Sequence, residues 1–128
     1  MDLAHVRYIV NDVSEAIPFY TTHLGFHLEM HPAPGFALLS RGVLRLYLNQ
    51  PGAGGEGQAM PDGTSPKPGG WNRMQFQVPD LAQTVATLRS AGAHFRNDIV
   101  QGVGGKQILL EDPSGNLIEL FEPAPPAK

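Results

Sequence analysis

The chain states one pattern twice. His5-Val6-Arg7-Tyr8-Ile9-Val10-Asn11-Asp12-Val13 returns 68 positions later as Arg73-Met74-Gln75-Phe76-Gln77-Val78-Pro79-Asp80-Leu81, with polar and apolar types agreeing at most positions. Each copy then runs into a short helical pattern that stops at a glycine, Gly25 in the first and Gly92 in the second. Each closes on a hairpin whose last strands look alike, Val43-Leu44-Arg45-Leu46-Tyr47 and Leu117-Ile118-Glu119-Leu120-Phe121. At 128 residues the chain has room for one continuous core shared by both copies. The repeat therefore predicts a single α+β domain of two βαβββ modules, residues 4–50 and 71–122, which can pair so that equivalent positions converge on one cavity.

Local patterns fill in that outline. Residues 3–10 alternate, with Leu3, His5, Arg7 and Ile9 on one side and Ala4, Val6, Tyr8 and Val10 on the other, as a half-buried strand does. Asp12 or Ser14 can cap the first helix, Asp12 standing three residues ahead of Glu15 in a capping arrangement, and Val13, Ile17, Tyr20 and Leu24 form its buried stripe. Pro18 is placed near the first turns, where a missing N–H costs least. Residues 26–31, 36–40 and 43–49 follow as strands. The second copy reads as strand 72–78, helix 81–91 with Leu81, Val85 and Leu88 inward, and strands near 94–97, 106–111 and 117–122. Asp112-Pro113-Ser114-Gly115-Asn116 is its hairpin turn. Between the copies, residues 51–70 hold eleven Gly or Pro in twenty positions and read as a flexible connection, with a lid over a ligand as the alternative. Residues 123–128 read as a loose tail.

Composition removes several function classes. A net charge of −3 with scattered basic residues gives no footprint for nucleic acid or an anionic membrane. Small molecules and other proteins remain as partners. Without cysteine there is no thiolate metal site and no Cys nucleophile. No apolar run approaches a membrane span and no signal region precedes the first strand, so the expected location is cytoplasmic. No phosphate loop, serine elbow or His-Glu-x-x-His helix occurs.

Phe19-Tyr20 followed by Leu24-Gly25-Phe26, then Val78-Pro79-Asp80-Leu81, then Asp112-Pro113-Ser114-Gly115-Asn116-Leu117-Ile118-Glu119-Leu120 form an ordered set. With these motifs the chain resembles the vicinal oxygen chelate superfamily, which includes glyoxalase I, extradiol dioxygenases, fosfomycin-resistance proteins and bleomycin-resistance proteins. The resemblance runs from His5 to Phe121. It implies paired βαβββ modules whose curved mixed sheets surround a cleft with the helices on the outer face, often a homodimer, and a divalent metal held on the first and last strands of the modules. Carried over by position, those metal places fall on His5, Arg45, Arg73 and Glu119. His5 and Glu119 supply suitable donors, whereas a guanidinium supplies only N–H donors and a positive charge.

The residues themselves point to the same strands. If Val6, Tyr8, Leu44, Leu46, Met74, Phe76, Ile118 and Leu120 pack under the helices, the other strand faces carry His5, Arg7, Arg45, Tyr47, Asn49, Arg73, Gln75, Gln77, Glu119 and Phe121. Buried charges are costly unless paired, so Glu119 is expected to pair with Arg45 and Arg73 while His5 hydrogen-bonds into the network. A metal bound by His5 and Glu119 and completed by waters is the alternative. His27, Glu29 and His31 share one strand side and read as a solvated face, as do His23 and His94 elsewhere.

Three functions follow. The first is a glyoxalase- or bleomycin-resistance-like protein that binds a small anionic organic molecule, using Arg7, Arg45, Tyr47, Asn49, Arg73, Gln75 and Phe121, with Phe36 and Trp71 among its aromatic walls. The second is a divalent-metal-dependent lyase, isomerase or dioxygenase using His5 and Glu119. The third is a metal-free enzyme in which Glu119 or His5 moves a proton while Arg45 or Arg73 stabilises an anion. The lost donors at Arg45 and Arg73 favour the first.

Overall fold

A computed structural model describes residues 4–53 and 57–126. Leu3, residues 54–56 of the connection and residues 127–128 of the tail lie outside the described residues. In chain order the elements are β1 (His5–Ile9), α1 (Val13–His23), β2 (His27–Ala33), β3 (Phe36–Arg41), β4 (Leu44–Asn49), β5 (Met74–Gln77), α2 (Leu81–Ser90), β6 (His94–Phe95), β7 (Val100–Gln101), β8 (Gly105–Glu111) and β9 (Leu117–Pro123). They divide into two compact units, Met1–Gly69 with Pro113–Asn116, and Gly70–Asp112 with Leu117–Lys128.

In the first unit Asp12 caps α1, its side chain accepting from Ser14 N at 2.9 Å and Glu15 N at 3.4 Å. Pro18 lies past the first turn, so the Ser14 carbonyl loses the helical donor that any other residue there would supply. Gly25, at φ 70°, ends the helix in a conformation that costs glycine nothing, and Phe26 N–H returns to the Tyr20 carbonyl at 3.1 Å. The buried stripe of α1 is Val13, Ala16, Phe19 and Tyr20, with Leu24 just beyond. Ile17, expected in that stripe, is only half-buried, because Ala16 and Phe19 take the centre of the face. The sheet runs β1-β4-β3-β2, with β1 and β4 parallel and the other pairs antiparallel. Ala37, Leu39, Leu46 and Leu48 supply its fully buried apolar side chains.

The second unit repeats the order as β5-β9-β8-β6, with β5 and β9 parallel. Leu81, Val85 and Leu88 of α2 are buried as the helical spacing predicts, as are Met74, Phe76, Ile118 and Leu120 of the strands. β7 was not legible from the sequence; Val100 and Gln101 pair with Gln107 and Lys106 in the segment between the two expected strands.

Matching clamps close both units. Gln50, just past β4, accepts from Val13 N at the start of α1 through its Oε1 at 3.0 Å. Glu122, at the end of β9, accepts from Leu81 N at the start of α2 through its Oε1 at 2.8 Å. Val13 and Leu81 are 68 positions apart, but Gln50 and Glu122 are 72 apart. The strand ladders agree: Arg7 pairs with Tyr47, and Gln75 with Glu119. The counterpart of Glu119 in the first unit is therefore Tyr47, two residues from the Arg45 that sequence similarity selects.

The connection is not featureless. Met60 N bonds to the Thr64 carbonyl at 2.7 Å, and Thr64 N to the Asp62 carboxylate at 2.9 Å, which holds the Asp62 pKa below its ordinary value. Gly57 N bonds to the Ala53 carbonyl at 3.0 Å, and Gly57 is buried. Among the described residues, no helix is long and apolar enough to cross a membrane.

Candidate functional site

Strand alternation sends Val6, Tyr8, Leu46 and Leu48 to one face of the first sheet and His5, Arg7, Tyr47 and Asn49 to the other. On that second face Tyr47 is the centre. Its ring stacks on the His5 imidazole at 4.8 Å and 7°, meets Phe36 at 5.5 Å, and lies under the Arg7 guanidinium at 4.6 Å. Arg7 Nη1 also donates to Asn49 Oδ1.

Beside this group is a cavity of about 380 Å³ lined by Arg7, Ala33, Gly35, Phe36, Tyr47, Asn49 and Ala53. Cavities of about 300–1,000 Å³ suit small organic ligands, particularly where apolar walls surround a few polar groups. Arg7 is the one charged residue among these seven. Asn49 is fully buried, and its Nδ2 has no hydrogen-bond partner. The amide cannot simply be turned over to cure this, since Nδ2 would then face the Arg7 guanidinium donor to donor.

The second unit gathers Arg73, Gln75 and Glu119. Arg73 Nε and Nη2 each lie 3.0 Å from Glu119 Oε1, and Gln75 Nε2 donates to Oε2 at 2.6 Å. Arg73 Nη1 also reaches the Trp71 carbonyl at 3.1 Å. The Glu119 side chain is 9% exposed and that of Arg73 30%, so this ion pair is screened on one side only. The expected Arg73–Glu119 pair is formed, and Gln75 is the added partner.

The remaining candidates are placed elsewhere within their own units. Arg45 Nη1 donates to the Gly42 carbonyl at 2.8 Å and more weakly to that of Leu44 at 3.3 Å, folding back on its own hairpin turn. Phe121 on β9 is half-buried, opposite Gln77 and Gln107. Trp71 is 71% exposed. His27, Glu29 and His31 lie on β2, which is exposed throughout, and Glu29 accepts from the Ser40 hydroxyl at 2.6 Å.

These residues do not fit a divalent metal. Both oxygens of Glu119 already accept hydrogen bonds, and the guanidinium on Oε1 would repel a cation held there. His5 is the other candidate ligand, and its ring is stacked on Tyr47. Among the described residues no group of three or more His, Asp or Glu could hold an ion.

Sequence reasoning missed Ala33, Gly35 and Ala53 as walls. Small residues carry no chemical signal, but Pro34-Gly35 marks a turn, and a Cβ on Gly35 would stand 2.5 Å from that of Ala53. The absence of a side chain there lets the start of the connection close down on the cavity.

The sequence model of the Glyoxalase/Bleomycin resistance protein/Dioxygenase superfamily matches residues 2–120. Similar solved structures include a superfamily member from Sphaerobacter thermophilus, with a TM-score of 0.74 at 23% identity, covering 95% of this chain and 97% of that one. The fosfomycin resistance protein FosX of Listeria monocytogenes gives 0.72 at 16% identity, covering 97% and 94%. Lactoylglutathione lyase of Agrobacterium tumefaciens gives 0.71 at 17%, covering 94% and 92%. A search of curated proteins gave no significant match. The repeated strand order, the paired helix clamps and the match across nearly the full length together place this chain in the glyoxalase/bleomycin resistance protein/dioxygenase superfamily.

Proposed function

We propose that this protein binds a small anionic organic molecule in the cavity of its first unit, without a metal. The observation that carries the reading is the cavity's lining: aromatic and small apolar walls with one permanent positive charge, Arg7, set over the Tyr47 ring. Such a site gains from burying an apolar body and from a charge-assisted hydrogen bond to an acidic group. Two neighbours by fold are named for fosfomycin resistance and for a lyase acting on lactoylglutathione, and both names concern small molecules. Calorimetric titration with matched aryl carboxylic acids and their methyl esters, each with and without EDTA, tests the reading. Acids should bind at least tenfold tighter than esters, with EDTA changing nothing. Equal binding of esters would remove the charge from the proposal, and binding that vanishes in EDTA would remove the metal-free site.

The same reading takes the protein as a homodimer. It is supported by β2, which lies at a sheet edge with all seven residues exposed and therefore offers an edge that a second copy would cover. Sedimentation at micromolar concentration decides this, and a mass of 13.8 kDa would exclude it.

A further inference from the structure

Asn49 presents an unsolved problem of hydrogen bonding in the free protein. Its side chain is completely covered, its Oδ1 accepts from Arg7, and its Nδ2 donates to nothing. A buried amide donor without a partner costs about 1–3 kcal/mol, a penalty that a fold of this kind avoids at nearly every other place. Among the described residues, Nδ2 of Asn49 is the one buried side-chain nitrogen or oxygen left in this state. It also belongs to the wall of the cavity.

We propose that Asn49 Nδ2 is the recognition donor for the ligand, and that the ligand carries a carbonyl-type oxygen, of a carboxylate or an amide, on a flat apolar body. This rests on the binding reading above and adds the group that is read. Arg7 holds the other end of the same amide, so its guanidinium is part of what covers Asn49. A side-chain adjustment of Arg7 that keeps its bond to Oδ1, of the kind common at binding surfaces, would open the wall at Nδ2 with no change of backbone. A carboxylate would then meet two donors, one oxygen on Nδ2 and the other on the guanidinium. A neutral amide oxygen would still satisfy Nδ2. The flat body would lie against Phe36 and Tyr47, which border the same space. An amine of equal size would have no acceptor for Nδ2 and would face the charge of Arg7, and a site built around a donor rejects such a ligand strongly.

The experiment uses the full chain labelled with nitrogen-15 and three probes, benzoate, benzamide and benzylamine. The Asn49 side-chain NH2 signal is assigned by its loss in Asn49→Asp, a substitution that keeps an acceptor for Arg7 but removes the donor. Benzoate and benzamide should move this signal downfield along a saturable curve, and benzylamine should leave it in place. Asn49→Asp should weaken binding of both probes at least tenfold, the neutral benzamide included, because the donor is gone. A residue kept for packing alone would instead spare the binding of benzamide. If backbone signals around the cavity shift while the Asn49 NH2 stays fixed, the recognition role is overturned and the binding reading stands. Should none of the three probes give a saturable shift anywhere, the binding reading falls and takes this one with it. The parent spectra decide between these outcomes even if the variant fails to fold.

Discussion

Tyr47 and Glu119 occupy the same place in their two modules, yet one is an aromatic ring stacked on His5 and the other a carboxylate gripped by Arg73. Position 5 and position 73 are likewise counterparts, so one pair of equivalent places holds a ring on a ring in the first unit and an ion pair in the second. The two copies of the repeat have kept their backbone and exchanged their chemistry. Each pair can be tested by what its removal costs.

For the ion pair, Arg73→Met leaves a nearly buried carboxylate with Gln75 as its only named partner and should cost about 2–3 kcal/mol, below the range for fully buried pairs because Arg73 is partly exposed. Arg73→Met combined with Glu119→Gln should recover most of that loss. Urea unfolding of the parent, both single variants and the double variant gives the coupling; a double variant as unstable as Arg73→Met would show that packing, not charge, dominates.

For the ring, Tyr47→Phe preserves the contacts with His5, Phe36 and Arg7 and should change stability by less than about 0.5 kcal/mol. Tyr47→Ala removes all three and should cost about 2–3 kcal/mol, together with most of the affinity for aryl carboxylates. Thermal unfolding and calorimetry read both effects. If Tyr47→Phe alone abolishes binding, the hydroxyl rather than the ring is what the ligand needs.

Gly35→Ala forces a Cβ to within 2.5 Å of the Ala53 Cβ and should cost about 1–3 kcal/mol. The added Ala53→Gly change should restore stability, since the clash is between these two methyl groups. Absence of rescue in the unfolding midpoint would mean that the backbone of the connection, also near this point, carries the strain.

The helix clamps should be equivalent in effect despite their different chemistry. Gln50→Ala and Glu122→Ala each remove an acceptor from the first N–H of a helix, and each should cost about 1 kcal/mol. Hydrogen exchange should localise the first loss to α1 and the second to α2. Spreading of either loss across the whole chain would contradict the division into separate clamps.

Much of this arrangement was legible in the residues. Asp12 and Asp80 announce their helices, Gly25 ends α1, and alternation assigns His5, Arg7, Tyr47 and Asn49 to one face and Phe76 and Leu120 to another. What misled was the register of the last strands. Leu44-Arg45-Leu46 and Ile118-Glu119-Leu120 share an apolar, charged, apolar pattern, and a slip of two residues leaves every side chain on its correct face. The tertiary bonds of Gln50 and Glu122, together with the strand ladders, break that degeneracy. The cavity's small walls and the orphaned nitrogen of Asn49 were hidden for a related reason: both are properties of packing, and Ala33 or Ala53 looks the same in a loop as beside a ligand.

The turn Pro113–Asn116 belongs with the first unit although it comes near the end of the chain. Asn116 donates to the Ile9 carbonyl at 2.8 Å and accepts from Gly69 N at 2.8 Å, while Ser114 Oγ accepts from Asn11 N at 2.8 Å. On the ribosome, therefore, β1 and Asn11 beyond it wait for hydrogen-bond partners made 107 and 103 positions later. The strand can form early, but its final locking is deferred until residue 116 has emerged, so a segment severed before that turn would remain looser than the same segment in the intact chain.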